Sequence, residues 1–250
     1  MLIAVVGKGG VGKTTVTALL LRRLLQAQQV PVLALDADPS NCLGPVLGVT
    51  IERTLAELRD DLRDTADRPA SMSQAEWLAL HAEDALVEHN GFDLLTMGHP
   101  EGPGCYCFVN NVVRSYLDRL TRSYRHVLVD CEAGLEHLSR RTTTRPDRLV
   151  CVVGRAKMSA DTVHHALEIY ASLHEGTLPP TDLVLNGFEA GEPLAAQLGA
   201  AAAFGSGFTR TFTVPWDPCV STLDAAGQSL LDLDASAPAL AALGGWEASA

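Results

Sequence analysis

Lysine is scarce in this chain of 250 residues: Lys8, Lys13 and Lys157 stand against sixteen arginines. Neither cation occurs after Arg210, and the formal net charge is −11. Such an acidic chain is a poor match for a nucleic-acid backbone or an anionic lipid surface as main partner. A C-terminal segment without Lys or Arg cannot act as a basic amphipathic membrane anchor. No apolar run approaches the roughly 20 residues of a membrane span. The first apolar run has no basic residues ahead of it, so Leu2–Val6 reads as a core strand and not a signal peptide. The six cysteines, at 42, 105, 107, 131, 151 and 219, come without a secretory context. A disulfide framework is therefore not expected, and a reducing cytoplasm is. Internal repeats and a domain linker are missing too. The length suits one large α/β domain over 1–250, with 235–250 as a short Ala-rich helix and loosely held tail.

What is present begins at Gly7. Gly7-Lys8-Gly9-Gly10-Val11-Gly12-Lys13-Thr14-Thr15 lies between the apolar run Leu2–Val6 and the helical pattern Val16–Leu25. Strand, glycine-rich loop, Lys-Thr and helix together form the P-loop context. Glycines let backbone N–H groups turn inward onto phosphate oxygens, and the helix N-terminus adds partial positive charge. Lys13 is placed to reach the β- and γ-phosphates, and Thr14 offers its hydroxyl to Mg²⁺.

Short apolar strands alternate with helical patterns from there on. Strands are expected at Val32–Leu35, Phe92–Met97, His126–Asp130, Leu149–Val153 and Leu183–Asn186. Asn41–Pro45 reads as a loop. Thr54/Glu57 and Ser73/Glu76 are capping-box pairs, opening one helix to Leu62 and another toward His89. Phe108–Tyr124, Asp161–Leu173, Glu192–Ala203 and Asp217–Gly227 read as further helices. Fully apolar strands between helices imply a mostly parallel sheet covered on both faces. Ligands bind such sheets at the carboxyl ends of the strands. The P-loop, Asp36 and Asp38, Cys105 and Cys107, and Asp130 all follow strand ends and converge on that edge.

Asp130 ends a hydrophobic strand, the Walker B arrangement, and is expected to hold Mg²⁺ with Thr14. Asp36 and Asp38 are candidates for the metal's outer shell and for positioning water. Asp38 before Pro39 also suits an Asx-type turn. After the strand ending at Asn186 comes Gly187-Phe188-Glu189, which lacks the acid of the guanine-reading N-K-x-D pattern, so the base is expected to be adenine. Cys105-Tyr106-Cys107, in a Gly- and Pro-rich stretch, pairs two thiolates suited to a soft or borderline metal such as Ni²⁺ or Zn²⁺. A tetrahedral four-cysteine site needs the same pair from a second chain.

With Lys8 inside it, the loop resembles the deviant P-loop of the MinD, ParA, ArsA and nitrogenase iron protein group, a SIMIBI-type P-loop NTPase fold. That resemblance implies a homodimer closed on ATP, with Lys8 touching the partner's nucleotide. It also implies that Asp38 orients the attacking water and that Asn186 and Pro215 border the adenine. The chain is similar, more narrowly, to the CooC-type ATPases, nickel-handling maturation factors for carbon monoxide dehydrogenase with relatives serving acetyl-CoA synthase. The segments that carry this likeness are Gly7–Thr15, Asp36–Asn41, Gly104–Cys107 with Asn110-Asn111, and Val129–Thr142. Cys131 departs from the Asn expected beside the Walker B acid. The resemblance implies ATP hydrolysis coupled to a metal shared at Cys105 and Cys107, with the apo-dehydrogenase or synthase as partner. Two alternatives stay open at this point: an iron–sulfur reductase resembling the nitrogenase iron protein, and a positioning switch resembling ParA or MinD.

Overall fold

The computed structural model of the chain describes residues 1–61, 71–98, 116–131, 145–192 and 207–246. Eight strands form its sheet: β1 Leu2–Gly7, β2 Val32–Asp36, β3 Leu86–His89, β4 Phe92–Thr96, β5 His126–Asp130, β6 Arg148–Val153, β7 Thr181–Asn186 and β8 Arg210–Val214. Their order is β3-β4-β2-β5-β1-β6-β7-β8, parallel throughout except for the antiparallel edge pair β3 and β4. The expected mostly parallel sheet is therefore present, with two strands more than the six read from the sequence.

Both faces of the sheet are apolar because successive side chains point to opposite sides. In β1, Leu2, Ala4 and Val6 enter one core, and Ile3 and Val5 the other. The second core is covered by α1 (Lys13–Gln26), which buries Val16, Ala18, Leu19, Leu20, Leu21 and Leu24. The first is covered by α3 (Leu55–Asp61), helical residues 116–120 and α5 (Lys157–Leu173). Each fully buried Val or Leu among these stabilises by about 1.5–3 kcal/mol.

Three expectations are corrected. The loop at Asn41–Pro45 is in part a helix, α2 (Leu43–Leu47). Pro45 is compatible because it lies in the first turn, where its missing N–H has no intrahelical acceptor. Gly48, at φ +68, ends the helix. The helix expected to run toward His89 stops early: α4 is Gln74–His81, followed by a 3₁₀ turn at Ala82–Ala85 and then β3. Asn90-Gly91 closes β3 and β4 as a two-residue hairpin, with His89 opposite Phe92 and Gly91 at φ +86. Both capping boxes are formed; Thr54 N–H donates to Glu57 at 2.7 Å and Ser73 N–H to Glu76 at 2.8 Å.

The third correction concerns the C-terminal segment. After α6 (Pro218–Ala225), a 3₁₀ turn at Leu230–Asp232 and α7 (Pro238–Ala241) pack onto α1, so the segment through Trp246 is held and not loose. Leu240, Leu243 and Trp246 are fully buried. The indole Nε1 of Trp246 donates to Asp182 at 3.0 Å. Asp182 also accepts from Arg148 Nη1 at 3.1 Å and from Arg210 Nη2 at 2.6 Å. The low content of strong local signals in this Ala-rich stretch hid an anchor that depends on a distant strand.

His126 begins β5, and both of its ring nitrogens are buried without a hydrogen-bond partner among the described residues. Burial first, then the nearby N-terminal amine and Arg125, push its pKa down to about 4. The unfolded chain therefore binds the extra proton between pH 6.5 and about 4, so stability is lost as pH is lowered through that window. Comparing melting of the wild type with His126→Phe from pH 7.5 to pH 5 isolates this effect. The wild type is expected to lose roughly 1–2 kcal/mol more than the variant.

Candidate nucleotide site

The loop after β1 is built for an anion. Gly10 and Gly12 adopt φ +79 and +87, which only glycine takes without strain. The Lys8 carbonyl accepts from Val11 N–H at 3.4 Å and from Lys13 Nζ at 3.3 Å, closing the loop on itself. α1 has no side-chain cap and no acid in its first turn. Its first N–H groups, which have no intrahelical acceptors, are therefore free to meet phosphate oxygens. Lys13 is 6% exposed, so its ammonium is held within the loop rather than in solvent.

The acids assemble as the strand alternation requires. Val32 and Ala34 face α1, and so does Asp36 two residues on; Leu128 leads likewise to Asp130. Asp36 and Asp130 are direct neighbours in the β2–β5 register. Both are completely buried. The Asp130 carboxyl takes hydrogen bonds from Thr14 and from Thr17 Oγ1, the latter at 3.4 Å, while its Oδ2 has no partner among the described residues. Asp36 accepts Asp38 N–H at 3.1 Å and Leu43 N–H at 2.9 Å, so it also fixes the start of α2. Asp38 accepts Ser40 N–H at 2.9 Å, forming the Asx-type turn.

Burial is the main influence on both buried acids. It pushes Asp36 up to about 6, against the two backbone N–H bonds that pull it down. It pushes Asp130 up to about 7, opposed by Thr14 and Lys13 and reinforced by Asp36 and Asp38. A bound cation inverts this balance and favours both carboxylates.

Asn186 was expected at the base, and it has a further job: its Nδ2 donates to Val11 O at 2.8 Å, clamping the P-loop. A Cβ on Gly12 would lie 2.3 Å from that same nitrogen. Asn186 and Pro215 line one cleft of about 210 Å³ with Thr15, Val214, Leu230 and Ala239. The clamp, the Thr17 bridge and the double role of Asp36 are not visible in sequence, because each depends on partners from other elements. Cys131 packs in the core beside Asp130. Cys105 and Cys107, with Asn110-Asn111 and residues 132–142, lie outside the described residues, as do 64–70 and most of the helix expected at Glu192–Ala203.

Residues 2–231 match the family model for the CobQ/CobB/MinD/ParA nucleotide binding domain. The chain belongs to that family. Within it, the chain is 32% identical over 246 residues to the carbon monoxide dehydrogenase accessory protein CooC of Rhodospirillum rubrum, covering 93% of this chain and 90% of that one. It is 44% identical over 165 residues to the uncharacterized ATP-binding protein MJ0685 of Methanocaldococcus jannaschii, covering 65% of each. The chain thus spans just under two thirds of that relative's length. A ParA family ATPase from Chlorobium tepidum has the same fold, with a TM-score of 0.70 at 18% identity over 97% of this chain and 95% of that one. Residues 2–231 are accordingly a nucleotide-binding domain of the CobQ/CobB/MinD/ParA family. Among the described residues, no helix is long and apolar enough to cross a membrane.

Proposed function

We propose that this CooC-like ATPase is a nucleotide-switched homodimer that binds Ni²⁺ or Zn²⁺ through Cys105 and Cys107 of two chains. It assists nickel insertion into carbon monoxide dehydrogenase or acetyl-CoA synthase. The observation that carries this reading is the identity to CooC over nearly the whole chain, joined to the C-x-C that two copies complete.

The residues fit Mg²⁺. Asp130 Oδ2 is a buried acceptor without a partner among the described residues, next to the Thr14 hydroxyl and in register with Asp36. Thr14 would ligate the ion directly, and Asp130 and Asp36 would hold its waters. When bound, Mg²⁺ neutralises charge on the β- and γ-oxygens. The chain supplies the rest. The P-loop N–H groups and Lys13 hold the phosphates, and Lys8 does so across the dimer. Asp38, anchored through one oxygen by its turn, orients the attacking water with the other. The base occupies the cleft of Asn186 and Pro215, with adenine as the base. Metal and ATP both favour the closed dimer, so each tightens the other's binding.

The double variant Cys105→Ala/Cys107→Ala tests the cargo site. Metal analysis across size-exclusion with a non-hydrolysable ATP analogue should find about one Ni²⁺ or Zn²⁺ per two chains in the wild type, as a four-thiolate site demands. The variant is expected to lose it while still binding nucleotide. Unchanged metal content and dimerisation in the variant would sink the proposal. A reading as a ParA- or MinD-like positioning switch shares the fold, but the net charge of −11 disfavours DNA or anionic membrane as its surface.

A further inference from the structure

We propose that Trp216 is the lid of the base cleft and stacks on the purine ring of the bound nucleotide. The inference rests on the placement of the base between Asn186 and Pro215.

Trp216 is 66% exposed, whereas the chain's other tryptophans, Trp77 and Trp246, are 7% and 0% exposed. An indole so far out in water loses apolar contact that a flat partner would restore. It lines the same cleft as Asn186, and Thr15 joins that cleft to the phosphate loop. A nucleotide with its phosphates on the P-loop therefore brings its base to this side. Val214, Leu230 and Ala239 are buried apolar residues of the cleft's lining, and the acids Asp217 and Asp224 also line it. A flat heterocycle fits that environment better than a charged group does.

The backbone carrying the indole is fixed on both sides. Pro215 restricts its own φ. Asp217 is 3% exposed and has both carboxylate oxygens engaged, accepting Cys219 N–H at 2.9 Å and Ala239 N–H at 3.0 Å. The facing wall is equally fixed. Asn186 is tied to Val11, Gly187 N–H donates to Val214 O at 2.8 Å, and Arg155 Nε donates to Gly187 O at 2.5 Å. Two rigid walls leave only the Trp216 side chain to order on binding, which keeps the entropic cost small. Base–aromatic stacking tolerates any base, so Trp216 adds affinity, and the choice between purines is left to polar groups of the cleft.

The test reads intrinsic fluorescence and calorimetric affinity for Mg-ATP, Mg-ADP and inorganic tripolyphosphate. The full chain is used as wild type, Trp216→Phe, Trp216→Ala and Ser221→Trp, the last filling the cleft. Wild-type fluorescence is expected to shift with both nucleotides at low and high protein concentration alike, and Trp216→Phe to lose that signal. Trp216→Ala is expected to bind ATP about tenfold more weakly, about 1.4 kcal/mol. Trp216→Phe should recover most of the loss, and tripolyphosphate should bind all variants equally. Equal losses for ATP and tripolyphosphate overturn the lid. So does a signal that appears only at high protein concentration, which would put Trp216 against a second copy. If Ser221→Trp weakens ATP but Trp216→Ala does not, the base lies in the cleft and the lid alone is wrong. If neither weakens it, the base placement fails as well.

Discussion

An Asp130→Asn chain is expected to hydrolyse ATP about 10²–10³-fold more slowly, the usual cost of removing one preorganised electrostatic group, and yet to melt no lower than the wild type in the absence of Mg²⁺. The two halves of this result have one cause. Asp130 is fully buried, and burial raises its pKa to about 7 from the ordinary 3.8. Without a cation, the carboxylate form is penalised by the surrounding core. Asparagine has nearly the same shape and no charge, and its carbonyl can still accept from Thr14 and Thr17. Metal-free stability therefore survives. In the wild type, the acid's contribution is complete below its ordinary pKa and is lost as pH rises through about 7, because the folded state binds the extra proton. The variant should show a flatter profile over that range. Hydrolysis needs the charge, and the amide cannot hold the waters of Mg²⁺ equally well. Calorimetry in chelator, with phosphate release under saturating Mg-ATP, measures both. Near-normal turnover in the variant would remove Asp130 from the metal's surroundings.

The second large effect is on stability and lies at the opposite end of the strands. Asp182→Ala is expected to destabilise the chain by about 3–5 kcal/mol, as breaking a buried ion pair from one side does. Asp182 is completely buried and receives Arg148, Arg210 and the indole of Trp246. Removing it strands the Arg148 guanidinium, which is 7% exposed, beside a cavity. It also releases the hydrogen bond that seats the end of the C-terminal segment. A fall in melting temperature of about 10 °C follows for a chain of this size. Trypsin should open the C-terminal segment before the sheet, since local release precedes global unfolding. Asp182→Asn, which keeps the acceptor, should cost less. A melting temperature within a degree or two of the wild type in the alanine variant would show that the network is dispensable.

The phosphate loop, the strand ends carrying Asp36 and Asp130, and the parallel sheet were legible because each is written in a contiguous stretch. Leu2–Val6 with Gly7–Thr15 states strand, turn and helix in order, and period-two alternation then places the acids. Legibility failed where structure is made by partners far apart. Leu86–His89 has too few residues to show a period of its own and becomes a strand by pairing with Phe92–Leu95 across Asn90-Gly91. Arg210–Val214 closes the sheet only because β7 offers it a parallel edge. Nothing near Trp246 announces that its indole will meet Asp182. Asn186 was found for its place at a strand end, but its bond to Val11 crosses 175 positions and has no local signature. Cys105 and Cys107 remain a reading of the sequence.

The contact between Gly12 and Asn186 has a consequence for descent. The Asn186 amide occupies the space that any Cβ at Gly12 would need, and Gly12 already holds a backbone shape closed to other residues. Shortening Asn186 frees that space but abandons the Val11 carbonyl; enlarging Gly12 pushes the amide off it. Truncating Asn186 cannot rescue a side chain at Gly12, because the backbone strain at φ +87 stays, so each position is fixed on its own account.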